Sequence, residues 1–208
     1  MVRVNICGIT RTEDARAAVN SGVNALGFIF AESKRHINPD RARQIIGQLP
    51  PFVTTVGVFV DEDFDEVRRI LDYCRLDIAQ LHGEESPEYC RELQRKAIKG
   101  FRIKDEESVN ALFKYQGIVQ GLLLDTYRTG AAGGTGETFD WSLAKKARAL
   151  GPVILAGGIN PQNVSEAISR VGPYAIDVSS GVESSPGIKD AAKIKKLMEA
   201  VRGSIYDA

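Results

Sequence analysis

Short runs of apolar and β-branched residues punctuate the chain at intervals of about 25 residues: Val2–Cys7, Ala25–Phe30, Thr55–Val60, Ile78–His82, Ala97–Ile103, Gly121–Thr126, Pro152–Ala156 and Ala175–Ser179. Most are continuous rather than alternating, the pattern of strands buried on both faces of a parallel sheet. Between them, apolar positions recur with helical spacing. Thr12–Ser21 gathers Ala15, Ala18 and Val19 on one face, and Asp63–Cys74 gathers Val67, Ile70 and Leu71. Ser86-Pro87-Glu88 sets a proline at a first helical position ahead of Tyr89, Cys90 and Leu93. Trp141–Leu150, Pro161–Val171 and Asp190–Val201 read the same way, and Ser108–Tyr115 is the weakest of the set. Gly22, Gly151 and Gly172 fall just past helix ends, where left-handed caps belong. The pattern predicts eight strands alternating with eight helices in one domain spanning residues 1–208.

Strict alternation admits an open doubly wound sheet or a closed (β/α)8 barrel. The open sheet usually carries G-x-G-x-x-G after its first strand, whereas this turn reads Cys7-Gly8-Ile9-Thr10. Eight units fill a barrel. The expectation is an α/β fold, a compact single-domain (β/α)8 TIM barrel whose 208 residues leave only trimmed loops against roughly 250 for the fold.

Composition then narrows the partners. Lys+Arg and Asp+Glu both number 27, and neither half of the chain is basic. Nucleic acid and anionic membrane surfaces are therefore not expected partners. No apolar run approaches the ~20 residues of a membrane helix, and the N-terminal residues lack a signal-peptide layout. Three cysteines, Cys7, Cys74 and Cys90, are too sparse for a disulfide framework. Their spacing with His82 matches no zinc pattern, so no metal is expected. A cytoplasmic setting follows.

In such a barrel the chemistry sits at the C-terminal ends of the strands. The seventh run ends Ala156-Gly157-Gly158-Ile159-Asn160, and the eighth ends Asp177-Val178-Ser179-Ser180-Gly181-Val182-Glu183. Glycines there bare backbone N–H groups that cradle phosphate without side-chain charge, although they also serve ordinary tight turns. Cys7 closes the first run, where a thiol is either a small apolar core residue or part of the site. Asp125 closes the sixth, and a carboxylate there is not needed by the core. Arg35 follows the second run, as solvated surface or as a fork for a carboxylate. His82 ends the fourth run, as a ligand contact or a satisfied neighbour. The stretch Gly130–Gly136 lacks the G-K-[ST] ending of a nucleotide loop and is read as a loop over the site.

At these residues the sequence becomes recognisable. Asn5-Ile6-Cys7-Gly8-Ile9-Thr10, Gln80-Leu81-His82-Gly83, Leu124-Asp125-Thr126, Gly133-Gly134-Thr135-Gly136 through Phe139-Asp140-Trp141, Ala156-Gly157-Gly158-Ile159-Asn160-Pro161 and Asp177–Glu183 follow in order. Together they resemble the phosphoribosylanthranilate isomerase family of tryptophan biosynthesis over nearly the whole chain. One departure is Asn5, where the family usually has Lys; it touches local electrostatics rather than the catalytic assignment.

The resemblance implies an Amadori rearrangement of an aminoaldose to an aminoketose, with no cofactor. It makes Asp125 the general acid, Cys7 the general base and Arg35 the holder of the anthranilate carboxylate. The turns at Gly157-Gly158 and Ser180-Gly181 hold the phosphate, with His82 and Asp177 as further substrate contacts. The partner is then a small phosphosugar, and the molecule a monomer or homodimer. Half-protonation of Asp125 near neutrality needs a shift of ~3 pH units, worth ~4 kcal/mol. Cys7 is expected to be the easier partner, with a few per cent thiolate at an ordinary pKa near 8.5. The competing readings are a sister phosphosugar isomerase, expected to carry Asp in place of Cys7, and a silent phosphate-binding barrel, which has no need of the Cys7–Asp125 pair. A Schiff-base aldolase fits poorly, because Lys99 is the strand-interior lysine and lies on the fifth run.

Overall fold

The computed structural model describes residues 2–126 and 141–204; the Gly130–Gly136 stretch read above as a loop over the site lies outside them. Eight strands, β1 (Arg3–Ile6), β2 (Ala25–Ile29), β3 (Thr54–Phe59), β4 (Ile78–Leu81), β5 (Ala97–Ile103), β6 (Gly121–Thr126), β7 (Val153–Leu155) and β8 (Ala175–Val178), pair in sequence order. All pairs are parallel, and β8 returns to β1 from Arg3↔Ala175 to Ile6↔Val178, closing the barrel. The open doubly wound alternative is thereby excluded.

The helices are α1 (Thr12–Asn20), α2 (Pro39–Ile46), α3 (Phe64–Cys74), α4 (Pro87–Glu92), α5 (Glu106–Asn110), α6 (Trp141–Ala147), α7 (Val164–Val171) and α8 (Ala191–Gly203). Side chains start several of them. Asn38, Asp63, Ser86, Asp105 and Asp190 each accept from backbone N–H groups of the first turn, a contribution of about 1 kcal/mol per cap. Asp105 and Ser108 cap each other reciprocally, which explains why the weak Ser108–Tyr115 segment begins earlier and finishes as a 3-10 turn over Ala111–Tyr115. Helix α2, required by the alternation but not marked by periodicity, buries Ala42 and Ile45. The expected helix at Pro161 begins instead at Val164. The Asn160 side chain accepts from the N–H groups of Gln162 and Asn163 and holds Pro161–Asn163 as a turn. Gly172 is a left-handed cap (φ 59°, ψ 50°) and Gly22 has φ 87°, but Gly151 (φ 154°, ψ −171°) is not. A small hairpin, β9 (Glu183–Ser185) and β10 (Ile188–Lys189), follows β8; strands of two or three residues lie below what periodicity can signal.

Strand parity sorts side chains into two cores and aims the chemistry. In β6, Leu122 and Leu124 pack outward against the helices, while Leu123 joins Ile98, Ile154, Ala156 and Ala175 inside the barrel. The same alternation turns Val4 and Ile6 of β1, Ala79 and Leu81 of β4, and Ile176 and Val178 of β8 outward. It therefore turns Asn5, Cys7, Gln80, His82, Asp125, Asp177 and Ser179 inward. Cys74 and Cys90 are buried in the helical layer.

Candidate active site

β1 and β4 each end one residue short of a reactive side chain, so Cys7 and His82 stand at strand-to-loop junctions, whereas Asp125 and Asp177 lie within the last two residues of β6 and β8. The amide of Cys7 donates to Val178 O at 2.9 Å, tying the end of β1 to β8. Gly27 of β2 makes room for the thiol. An added Cβ there would lie 2.9 Å from Cys7 Sγ and 3.0 Å from its Cα. Close approach of this kind is the signal an isolated glycine inside a strand run carries, and the sequence reading passed over it. Cys7 is buried, and burial, with the Asp177 carboxylate adding to it, pushes its thiol well above the ordinary thiol range. This corrects the expectation of a readily available thiolate.

Asp125 lies across the mouth and is far more open, its side chain 34% exposed. His82 Nε2 stands 3.7 Å from Asp125 Oδ2, and its Nδ1 is 3.1 Å from Gln80 Nε2. Gly100 leaves the space for this ring, since an added Cβ would reach 2.6 Å from Nδ1. Beside His82 a cleft of about 380 Å³ is lined by Asp61, Phe101, Arg102, Lys114 and Tyr115 among others. Lys99 also borders this cleft but is engaged elsewhere. It is buried, pairs with Glu85 at 3.3 Å and donates to Gly83 O and Gly100 O, so it fastens the loops after β4 and β5 instead of facing the mouth.

Arg35 crosses over Gly8, where a Cβ would meet its Cδ at 2.9 Å. Its Nε and one Nη donate to the two oxygens of Glu183 at 2.8 and 2.7 Å, leaving the other Nη without a hydrogen-bond partner among the described residues. Lys189, with a fully buried side chain, pairs with Glu183 at 2.8 Å. Burial alone would raise the Glu183 carboxyl, but hydrogen bonds from Arg35 and Lys189 outweigh it and hold that group below the usual carboxylate range. Glu183 and Lys189 escaped the sequence reading. Glu183 closes the Asp177–Glu183 stretch, yet nothing in its local pattern announces that it orients Arg35, 148 residues away.

The two glycine turns meet directly. Gly181 packs on Ile159 O so closely that any Cβ would collide with the carbonyl. Gly157 and Gly158 take φ of 76° and 70°, and Asn160 and Asn163 donate to Gly158 O at 3.1 and 3.0 Å. Among the described residues, the amides of Gly157, Gly158, Ser180 and Gly181 find no acceptor. Asp177 sits below this shelf, beside Asn5. No group of three or more His, Cys, Asp or Glu placed to hold a metal occurs among the described residues.

Barrel and mouth define a (β/α)8 protein with a thiol, a carboxylate and a shelf of unspent amides at one end. A family model described as N-(5'phosphoribosyl)anthranilate (PRA) isomerase matches residues 4–200. The chain belongs to that family. It is 52% identical over 204 residues to N-(5'-phosphoribosyl)anthranilate isomerase of Geotalea uraniireducens, covering 98% of this chain and 100% of that protein. Among solved structures it resembles a phosphoribosyl anthranilate isomerase in complex with reduced 1-(o-carboxyphenylamino)-1-deoxyribulose 5-phosphate (TM-score 0.88, 42% identity, 98% and 100% of the two chains). It also resembles monomers generated from the dimeric isomerase of Thermotoga maritima (TM-score 0.88, 42% identity, 98% and 100%).

Proposed function

We propose that this chain catalyses the Amadori rearrangement of N-(5-phosphoribosyl)anthranilate to 1-(2-carboxyphenylamino)-1-deoxyribulose 5-phosphate in tryptophan biosynthesis, by proton transfer alone and in the cytoplasm. The observation that carries the assignment of roles is the inward placement of Cys7 and Asp125 at one mouth, beside the unspent amides of Gly158, Ser180 and Gly181. The phosphate sits on those amides, where oriented N–H dipoles meet its charge. Arg35, oriented by Glu183, offers its remaining Nη to the anthranilate carboxylate. Asp177 and His82 contact the sugar between these anchors, and holding both ends places the sugar between acid and base.

Asp125 gives a proton to the furanose ring oxygen. The C1′–O bond breaks as the nitrogen lone pair forms a protonated Schiff base. The positive charge next to Cys7 favours the thiolate that burial disfavours. Cys7 then takes the C2′ proton, and the electron pair neutralises the iminium to give an enolamine, which tautomerises to the ketone.

The test is a fluorescence assay of phosphoribosylanthranilate consumption. Cys7→Ser and Asp125→Asn are each expected to lose 10²–10⁴-fold in kcat, the usual size of general acid–base contributions. Wild-type turnover in both variants would remove the acid/base assignment.

We propose a homodimer as the working form. Phe52, at 102% relative exposure and with φ 70° on the loop before β3, is an apolar side chain that a second copy would cover. Sedimentation of Phe52→Ser is expected to show monomer where wild type shows dimer; equal mass for both removes this reading.

A further inference from the structure

Lys189 of β10 brings a fully buried ammonium to the turn that follows β8. Its backbone is fixed from another side, since the Lys189 amide donates to Asp14 Oδ2 of α1 at 3.1 Å. The three protons of an ammonium group are all available as donors. Here Nζ faces Glu183 Oε1 at 2.8 Å, Ser179 O at 3.2 Å and Ser179 Oγ at 3.4 Å. The first contact balances charge. The other two add nothing to that balance, and both fall on the residue just before the Ser180-Gly181 turn.

A peptide unit is planar and trans, so its C=O and N–H point to opposite sides. Ser179 O shares its unit with the Ser180 N–H. Holding the oxygen on Lys189 therefore sends that N–H away from the buried ammonium, and it finds no acceptor among the described residues. Val182 N reaches the same oxygen at 3.4 Å, outside the usual N–H···O range of about 2.7 to 3.2 Å. The facing turn has the same construction with uncharged donors. Asn160 and Asn163 hold Gly158 O, and the Ile159 N–H on the far side of that unit likewise finds no acceptor among the described residues. What sets the lysine apart is a second task. Through Glu183 it is joined to Arg35, so one ammonium connects the amide shelf to the guanidinium fork.

We propose that Lys189 is a positioning residue for the phosphate shelf: by gripping Ser179 O it aims the Ser180 N–H at the phosphate, and through Glu183 it fixes that shelf relative to Arg35. With its side chain fully buried, Lys189 acts through the Ser179–Ser180 peptide and not on the ligand. This role rests on the phosphate placement proposed above.

Titration of ¹⁵N-labelled protein with inorganic phosphate tests it, read residue by residue from backbone amide shifts. In wild type the Gly158, Ser180 and Gly181 signals are expected to move together and saturate. In Lys189→Met the dissociation constant is expected to rise about tenfold, the size of one lost hydrogen bond to a charged group. The saturating shift of Ser180 is expected to collapse while that of Gly158 persists. Unchanged affinity overturns the proposal. So does weakened affinity with the Ser180 saturating shift intact, the result that loss of a nearby positive charge alone would give. The double variant Lys189→Met/Glu183→Gln removes one charge of each sign, carries the same expectations, and replaces the single variant if that chain does not fold. If all three signals stay still in wild type, the phosphate placement itself falls and the Lys189 role with it. If they move in wild type and move identically in the variants, the Lys189 role falls alone.

Discussion

Around β1 and β8 the mouth is closed: Cys7 is buried, and Arg35 and Lys189 both pair with the buried Glu183 carboxylate. Around β4 and β6 it is open, with Asp125 one-third exposed and His82 bordering the 380 Å³ cleft. The two sides thus differ in their access to solvent: burial opposes ionisation of the Cys7 thiol, while Asp125 is open to its surroundings. In the roles proposed above, acid and base are told apart by solvent access as much as by residue type.

The comparison can be broken most forcefully at Glu183. Glu183→Ala leaves Lys189 buried and unpaired, at an expected cost of about 3–5 kcal/mol, visible as a large drop in thermal midpoint; an unchanged midpoint would mean that the closed side does not depend on its charges. The pH sign follows from the depressed Glu183 carboxyl. Its contribution is complete above the unfolded carboxylate pKa of about 4.3 and is lost as pH falls through the lower folded value. Acid unfolding of wild type should therefore carry a component below pH 4 that Glu183→Ala lacks.

Next in size is Gly27→Ala, which presses on Cys7 Sγ and Cα. Overpacking there is expected to cost ~1–3 kcal/mol and to lower kcat at least about tenfold by displacing the base, with KM little changed. Asp177→Asn works in the other direction. An acid whose folded pKa is raised destabilises the native state as pH climbs from about 4 through about 6, since the unfolded chain releases the proton first. The variant should gain on the order of 1–3 kcal/mol at pH 7.5 and nothing at pH 4, read from denaturant midpoints. The smallest effect is expected on the open side. Gly100→Ala presses first on the ring of His82, which can swing toward the cleft, so kcat should fall by less than about threefold. A loss as large as that of Gly27→Ala would show the two sides to be equally rigid.

Much of this was legible in the chain. Continuous β-branched runs separated by capped amphipathic segments specify parallel strands and helices, and their spacing counts to eight. Parity along each run then aims Cys7, His82, Asp125 and Asp177 inward. What stayed hidden depends on contacts between distant units. The Arg35–Glu183–Lys189 chain joins the second loop to the last hairpin, and neither β9 nor β10 is long enough to show a period. The ionisation of Cys7 was misread because a thiol's burial comes from its neighbours: Gly27 on one side, Asp177 on the other. Lys99 looked available as an interior lysine, but one step of parity turns it outward onto Glu85.

The pairing of β1 with β8 has a consequence for biogenesis. The thiol precedes the strand that anchors its amide, and the acid beneath it, by about 170 residues in the chain. An amino-terminal fragment ending before β8 would therefore carry Cys7 without its environment, its thiol accessible and close to ordinary reactivity. Nascent or truncated chains should be alkylated quickly at Cys7, and completed chains slowly. The base becomes protected only when the last strand closes the ring, so thiol labelling of stalled chains gives a clock for the final step of folding.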